Sequence, residues 1–373
     1  MMTPDFFSPA IKKALSEQKI TTFTEVQKLS IPLIMNGDNL IAASETGSGK
    51  TLAFILPLIE KIQGTPKRPI KVLVISPTKE LSEQTLKVAK SIARHTNILS
   101  MSIYGGKSFT EQVRDIKKGF HLIVACPGRL QDHILKETID LSDVEYLVLD
   151  EADQLMDLGF LPQIEKIMDA CSNRKQTLLF SATINDEVKI LIKEYLGKGK
   201  ILKLNELKAK AIINELFCPI QTKFKYPFLR FLIKHKKIKS SLIFTNTKEE
   251  ARTLSTLLKA DNYPVAVLEG DMSSHQRQKA ITALKSLSSR FLIATDVASR
   301  GIDIPHLTHV INYSIPLNLE SYIHRVGRTA RFENNGEAIT LYDQAETTRL
   351  HELLSKEIEP TLFKDFNTKG LKA

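Results

Sequence analysis

Asn39-Leu40-Ile41-Ala42-Ala43 runs into Ser44-Glu45-Thr46-Gly47-Ser48-Gly49-Lys50-Thr51, and Leu52-Ala53-Phe54-Ile55-Leu56 follows. The first five residues read as a buried strand and the last five as the start of a helix. The loop between them carries two glycines and a lysine, which is the strand–loop–helix context of a phosphate-binding loop. Glycines let backbone N–H groups turn onto phosphate oxygens, and the helix N-terminus adds a favourable dipole. Lys50 would reach the outer phosphates and Thr51 would ligate Mg²⁺, with Thr46, Gly47, Ser48 and Gly49 lining the loop. The strict pattern G-x-x-x-x-G-K-[ST] is broken once, because Ser44 stands where the first glycine belongs.

A second apolar run, Tyr146-Leu147-Val148-Leu149, ends in Asp150-Glu151-Ala152-Asp153, three carboxylates in four positions. An Asp at the end of such a strand helps hold the metal in phosphate-loop enzymes, and an adjacent Glu would polarise an attacking water. An acidic helix N-terminus favoured by the dipole is the other reading, and this stretch alone leaves both open. Both segments end where open α/β sheets bind ligands, beyond the carboxyl ends of strands.

Around these two stretches, short apolar strands alternate with helical periods. Strands are expected at 39–43, 71–76, 98–103, 121–125, 144–149 and 176–180, with helices near 50–62, 79–94, 108–118, 127–136, 161–171 and 185–196. Two further helical periods lie upstream, over 7–18 and from Val26 to Leu33. The segment from Gly197 to Ala211 is lysine-rich and weakly periodic, and the alternation then restarts. Strands near 214–220, 241–245, 264–268, 291–295, 308–313 and 337–342 alternate with helices near 223–235, 247–260, 274–286, 318–326 and 345–357. The pattern predicts an α/β protein of two domains, each a mainly parallel sheet covered by helices on both faces. The first spans 1–203, a linker 204–212, and the second 213–373.

At 373 residues, the length suits about two domains. The chain is 42% hydrophobic and 25% charged, an ordinary globular balance, so its cores need no staples. Cys126, Cys171 and Cys218 form no C-x-x-C pair or metal-ligand spacing, which points to a reducing compartment. Met1 to Asp5 lacks a basic region leading into an apolar run, so no signal peptide is expected. No apolar stretch reaches membrane-spanning length. The net charge of +10 points towards a polyanionic partner.

Many short motifs now fall into one order, and in that order the chain resembles the DEAD-box ATP-dependent RNA helicases, in a minimal, bacterial-type core. Asp150-Glu151-Ala152-Asp153 spells the family's name. Pro77-Thr78-Lys79-Glu80-Leu81 resembles motif Ia, with Lys79 where Arg is usual. Gly105-Gly106 resembles the GG motif, and Pro127-Gly128-Arg129 motif Ib, with Cys126 where Thr is usual. Ser181-Ala182-Thr183 resembles motif III, and Leu242 to Thr247 motif IV. Arg277 stands at the motif IVa arginine, although Ser274 replaces the usual Gln. Thr295 to Asp303 resembles motif V, and His324-Arg325-Val326-Gly327-Arg328-Thr329-Ala330-Arg331 motif VI. Gln27 resembles the adenine-reading glutamine of the Q motif, the most degraded of the set, since Phe23 and Lys19 stand where Pro and Gly are usual.

The resemblance implies two tandem RecA-like domains, ATP and Mg²⁺ as cofactors, and RNA as a partner bound without sequence preference through its backbone. It implies Lys50, Asp150, Glu151, Arg328 and Arg331 as catalytic residues. Gln27, Thr46 to Thr51, Gly301, Asp303, Arg328 and Arg331 would bind ATP, and Thr51 and Asp150 Mg²⁺, directly or through water. Pro77, Thr78, Lys79, Gly105, Gly106, Pro127, Gly128, Arg129, Arg277, Thr295 and Arg300 would contact RNA. Asp153, Ser181, Thr183 and His324 would couple the two sites. The expected protein is a cytoplasmic monomer that opens short duplexes or remodels RNA–protein complexes. An ATP-gated RNA clamp or annealing chaperone uses the same residues, and a DNA-dependent helicase shares the broader fold class.

Overall fold

The computed structural model describes residues 7–44, 47–66, 69–196, 199–203, 213–296, 307–329, 336–355, 358–363 and 365–366. Two compact units divide the chain, Met1–Lys208 and Ala209–Ala373. The expected linker 204–212 lies outside the described residues.

In the first unit the strands are β1 (Leu40–Ala43), β2 (Val72–Ile75), β3 (Ser100–Ile103), β4 (Leu122–Ala125), β5 (Tyr146–Leu149), β6 (Gln176–Ser181) and β7 (Lys200–Lys203). They form one sheet in the order β3-β4-β2-β5-β6-β1-β7, parallel at every pairing. Alternate residues point to opposite faces, and both faces are covered. Leu40, Ala42, Val72, Val74, Val148 and Phe180 pack under the helices Pro9–Glu17, Glu25–Asn36, Lys50–Lys61 and Lys79–Ile92. Ile41, Leu73, Ile75, Ile123, Leu149 and Leu179 pack under Pro127–Leu135, Leu161–Ala170 and Asp186–Leu191. Burial on both faces is why β1, β2, β4 and β5 read as unbroken apolar runs.

Two elements differ from the sequence expectation. The lysine-rich segment read as the approach to a linker contains β7, which pairs with β1 and forms the sheet's edge. Ile201 is exposed there while Leu202 packs on the core, so a half-covered edge strand carries too few apolar residues to stand out. A short helix, Ala152–Asp157, begins inside the acidic stretch itself.

The second unit holds β8 (Ile213–Pro219), β9 (Ser241–Phe244), β10 (Val265–Leu268), β11 (Phe291–Ala294), β12 (His309–Asn312) and β13 (Gly336–Tyr342). Their order is β10-β11-β9-β12-β13-β8, again parallel throughout. Helices Lys225–His235 and Lys248–Ala260 cover one face with Phe228, Leu229, Leu254 and Leu258. Helix Ser274–Lys285 covers part of the other with Ala280, Ile281 and Leu284. No described helix is long and apolar enough to cross a membrane.

Candidate functional site

A parallel sheet gathers the ends of its strands along one edge, and the strand order decides which loops become neighbours there. In the first unit β5, β6 and β1 are adjacent. Their carboxyl ends bring together Asp150–Asp153, Ser181–Thr183 and the glycine loop. Lys50 opens helix Lys50–Lys61, and Gly49 precedes it with φ 96°. A side chain at Gly49 would be strained at that φ, and its Cβ would lie 2.4 Å from Gln27 Nε2. The Lys50 ammonium donates to the Ser44 carbonyl at 3.1 Å and lies 3.1 Å from Glu151 Oε2. Ser44, which broke the strict motif, is buried, and its hydroxyl lies 2.9 Å from that of Ser48, bracing the loop from within.

The two readings of the acidic stretch turn out to be compatible. Glu151 is the N-cap residue of helix Ala152–Asp157, and it holds φ 49°, ψ 56°. A non-glycine residue in that left-handed region costs about 1–3 kcal/mol and is held by its surroundings. Asp150 is buried at the end of β5, and its Oδ2 has no hydrogen-bond partner among the described residues. Burial, followed by the neighbouring Glu151 charge, pushes its carboxyl up to about 7, while Lys50 opposes the shift. A buried carboxylate oxygen without a partner fits a hard divalent cation, which takes oxygen ligands and supplies the missing positive charge.

Asp153 faces away from that role. Its Oδ2 accepts from the Ala182 N–H at 3.1 Å, the Thr183 N–H at 2.8 Å and the Thr183 hydroxyl at 3.0 Å. Its Oδ1 accepts from the Gln154 N–H at 3.0 Å. Its own N–H donates to Ser181 Oγ at 3.1 Å, and that hydroxyl donates to the Thr183 carbonyl at 2.6 Å. The loop after β6 is thereby tied to the loop after β5. Gln27 is tied in as well: its Oε1 accepts from the Thr24 N–H at 3.0 Å, and its Nε2 donates to the Gly49 carbonyl at 3.1 Å. A carboxamide carries two N–H donors and two lone pairs, so each end keeps one site for a base.

The other half of the same edge belongs to β2, β4 and β3. It carries Pro77–Lys79, Pro127–Arg129 and Gly105–Gly106. The Thr78 hydroxyl caps helix Lys79–Ile92, accepting from the Leu81 N–H at 3.2 Å. Gly105 and Gly128 face open space, which leaves their backbone approachable. The Lys79 and Lys107 ammonium groups lie 5.2 and 4.7 Å from the centre of the Tyr104 ring. Arg129 donates to the Lys107 carbonyl at 2.9 Å. The Cys126 thiol sits 3.4 Å from the Ser82 hydroxyl, and burial pushes it up to about 11.

In the second unit Thr295, His324 and Arg328 are buried and Arg277 is half-buried. Thr46 of the first unit, and Arg300, Gly301, Asp303 and Arg331, lie outside the described residues. The sequence reading passed over Arg325, a fully buried cation. Its guanidinium donates to both oxygens of Asp296 at 2.6 and 2.8 Å, to Asn246 Oδ1 at 2.9 Å and to the Ser314 carbonyl at 2.8 Å, and lies 5.0 Å from the Phe244 ring centre. It therefore pins together the loops after β9, β11 and β12. The available signal was that apolar strands β9 and β11 are followed by the polar residues Asn246 and Asp296.

Comparison with known proteins matches a DEAD/DEAH box helicase model over residues 24–191 and a helicase conserved C-terminal domain model over residues 225–333. The chain belongs to the DEAD/DEAH box helicase family. It is 37% identical to a probable ATP-dependent RNA helicase of Methanocaldococcus jannaschii, covering 92% of this chain and 92% of that one. It is 38% identical to the DEAD-box ATP-dependent RNA helicase RhpA of Helicobacter pylori, over 94% of this chain and 72% of RhpA. Among solved structures, S. cerevisiae Dbp5 bound to RNA and ADP BeF3 aligns with a TM-score of 0.83 at 29% identity, covering 95% of this chain and 93% of that chain. The two parallel sheets are the tandem RecA-like domains of this helicase family. In that frame two of the departures in the first domain have partners: Lys79 rests against Tyr104, and Cys126 against Ser82.

Proposed function

We propose that this chain is an ATP-dependent RNA helicase whose RNA-stimulated hydrolysis is coupled to closure of its two domains. Closure would open short duplexes locally and non-processively, or remodel RNA–protein complexes. The observation that carries the reading is the Asp153 carboxylate, which holds the Ser181–Thr183 loop beside the strand ends that bear Asp150, Glu151 and Lys50. A change at the phosphates is thereby mechanically connected to a loop that carries no phosphate-binding residue.

In this reading Gly47 and Gly49 present backbone N–H groups to the ATP phosphates, with Thr46 and Ser48 alongside. Lys50 exchanges the Ser44 carbonyl and Glu151 for phosphate oxygens. That exchange releases the Glu151 carboxylate to orient a water and accept its proton. Thr51 and Asp150 would hold Mg²⁺, directly or through water, and the ion when bound would neutralise charge on the phosphate oxygens. Gln27 offers its free N–H and free lone pair to adenine, whose N6/N7 edge matches that pair. Arg328 and Arg331 act as arginine fingers, an effect worth about 10³–10⁵ in rate in related phosphoryl-transfer enzymes, and Gly301 and Asp303 contact the nucleotide from the same domain.

RNA is bound through phosphate and sugar, which positions without reading sequence, and recognition of 2′-hydroxyls excludes DNA. The contacts are Pro77, Thr78, Lys79, Gly105, Gly106, Pro127, Gly128 and Arg129 in the first domain, with Arg277, Thr295 and Arg300 in the second. The free state of all three cysteines supports a reducing, cytoplasmic setting. Strand separation of a short RNA duplex, followed with ATP, without ATP and with Lys50→Ala, tests the proposal. ATP-dependent separation lost in Lys50→Ala is expected. Retention of RNA by ATP with no strand separation would replace unwinding with clamping.

A further inference from the structure

Gln112 is a buried amide on helix Phe109–Ile116, a helix that carries none of the residues assigned above. Its Nε2 donates to the carbonyl of Tyr104, immediately before Gly105-Gly106, at 2.9 Å. Its Oε1 lies 3.0 Å from His133 Nε2 and 3.4 Å from Arg129 Nη1. His133 is also buried, on the helix that Pro127 and Arg129 begin, and its Nδ1 lies 2.8 Å from the Thr138 hydroxyl. With its proton on Nε2 the neutral imidazole donates to Gln112, and Nδ1 can accept from the Thr138 hydroxyl, which also lies 3.0 Å from the His133 carbonyl. Burial, reinforced by the Arg129 charge, holds this imidazole below the usual histidine range and so keeps it neutral. The ring also stacks on Phe109, with centroids 4.3 Å apart.

The network spans the loops after β3 and β4. Gln112 grips the first through Tyr104 and the second through His133 and Arg129. Arg129 closes the circuit by donating to the Lys107 carbonyl just past the two glycines. An arginine on a helix end has several rotamers, and each costs entropy to abandon when it meets a phosphate. Gln112 Oε1, the Lys107 carbonyl and the Asp132 carboxylate, 3.5 Å from its Nε, restrict that choice before any ligand arrives.

We propose that Gln112, held by His133, is a positioning residue that pre-orients Arg129 for nucleic-acid phosphate. The inference rests on the proposed role of Arg129 in RNA contact. Its consequence is that removing the amide weakens RNA through Arg129 and not through an independent contact.

The test is a double-mutant cycle on the full chain, using single-stranded oligoribonucleotide binding with a non-hydrolysable ATP analogue present, repeated over a range of salt. Gln112→Met keeps the length and packing of the side chain and removes both polar groups. It should weaken RNA binding about tenfold, as expected for loss of hydrogen bonds supporting a charged group. The slope of log affinity against log salt should flatten by about 0.7, one phosphate contact on a single strand. In an Arg129→Ala background the same substitution should change affinity less than twofold. His133→Leu breaks the network from the other helix and should behave alike. It carries the test if Gln112→Met does not melt cooperatively. Equal losses from Gln112→Met with and without Arg129 would overturn the proposal, as would wild-type affinity in Gln112→Met. Wild-type affinity in Arg129→Ala would instead remove the reading of Arg129 on which it stands.

Discussion

Asp153→Asn isolates the contact on which the proposed coupling depends. At least four donors converge on this carboxylate: the Gln154 N–H on Oδ1, and the Ala182 N–H, Thr183 N–H and Thr183 hydroxyl on Oδ2. An asparagine does best by keeping its oxygen towards the three donors of Ala182 and Thr183. Its NH₂ then faces the Gln154 N–H, and a buried donor left without an acceptor costs about 1–3 kcal/mol. The three remaining bonds lose charge assistance, which roughly halves their strength. Relief from burying a carboxylate offsets part of this loss. The net expectation is about 2–4 kcal/mol, which in a domain of this size lowers Tm by roughly 5–15 °C. Thermal unfolding of the full chain by circular dichroism reads the shift in the first domain. RNA-stimulated ATP turnover, measured well below the lowered Tm, should fall as well, because the Ser181–Thr183 loop is no longer held to the acidic stretch. A Tm within 2 °C of wild type would refute the claim that the carboxylate's charge holds that loop.

Arg325→Met should destabilise the second domain by about 3–5 kcal/mol in urea unfolding, because Asp296 loses its bidentate partner in a largely buried site. Arg325→Lys should recover little of that, since an ammonium cannot reproduce the planar fork that serves Asp296, Asn246 and the Ser314 carbonyl together. Gly49→Ala should weaken ATP binding at least tenfold in a fluorescent-nucleotide titration, since its Cβ would collide with Gln27 and distort the loop proposed to receive the phosphates. Thiol titration at pH 8 should proceed slowly in the native protein and release three equivalents once unfolded. Burial pushes Cys126 up to about 11 and both Cys171 and Cys218 up to about 12, leaving roughly 10⁻³ or less of each as the reactive thiolate.

The alternation of strands and helices was legible because β1, β2, β4 and β5 are buried almost throughout and read as apolar runs. β7 was not, since an edge strand with two lysines and one exposed isoleucine has half that signal. The strand–loop–helix around Lys50 and the strand end at Asp150 were legible in place, while the helix that starts at Ala152 inside the acidic stretch was not. What the sequence could not supply is the strand order. The order β3-β4-β2-β5-β6-β1-β7 puts Asp150, Ser181 and Lys50 on one half of the edge and Thr78, Arg129 and Gly106 on the other. It also places Asp153 under Thr183, a pairing across thirty residues of sequence. Arg325, Gln112 and His133 escaped for a related reason. Each is a common polar residue within a helical period, and only the packing distinguishes a buried clamp from a solvated face.

The central claim is that RNA controls hydrolysis at the Lys50–Glu151 site, and steady-state ATP turnover tests it most directly. Wild type and Glu151→Gln would be measured with Mg²⁺ and no nucleic acid, with a single-stranded RNA, and with DNA of matched sequence. The account predicts slow turnover alone, strong stimulation by RNA, little by DNA, and near-zero turnover in Glu151→Gln under all three conditions. Equal stimulation by RNA and DNA, or near-normal turnover in Glu151→Gln, would contradict it.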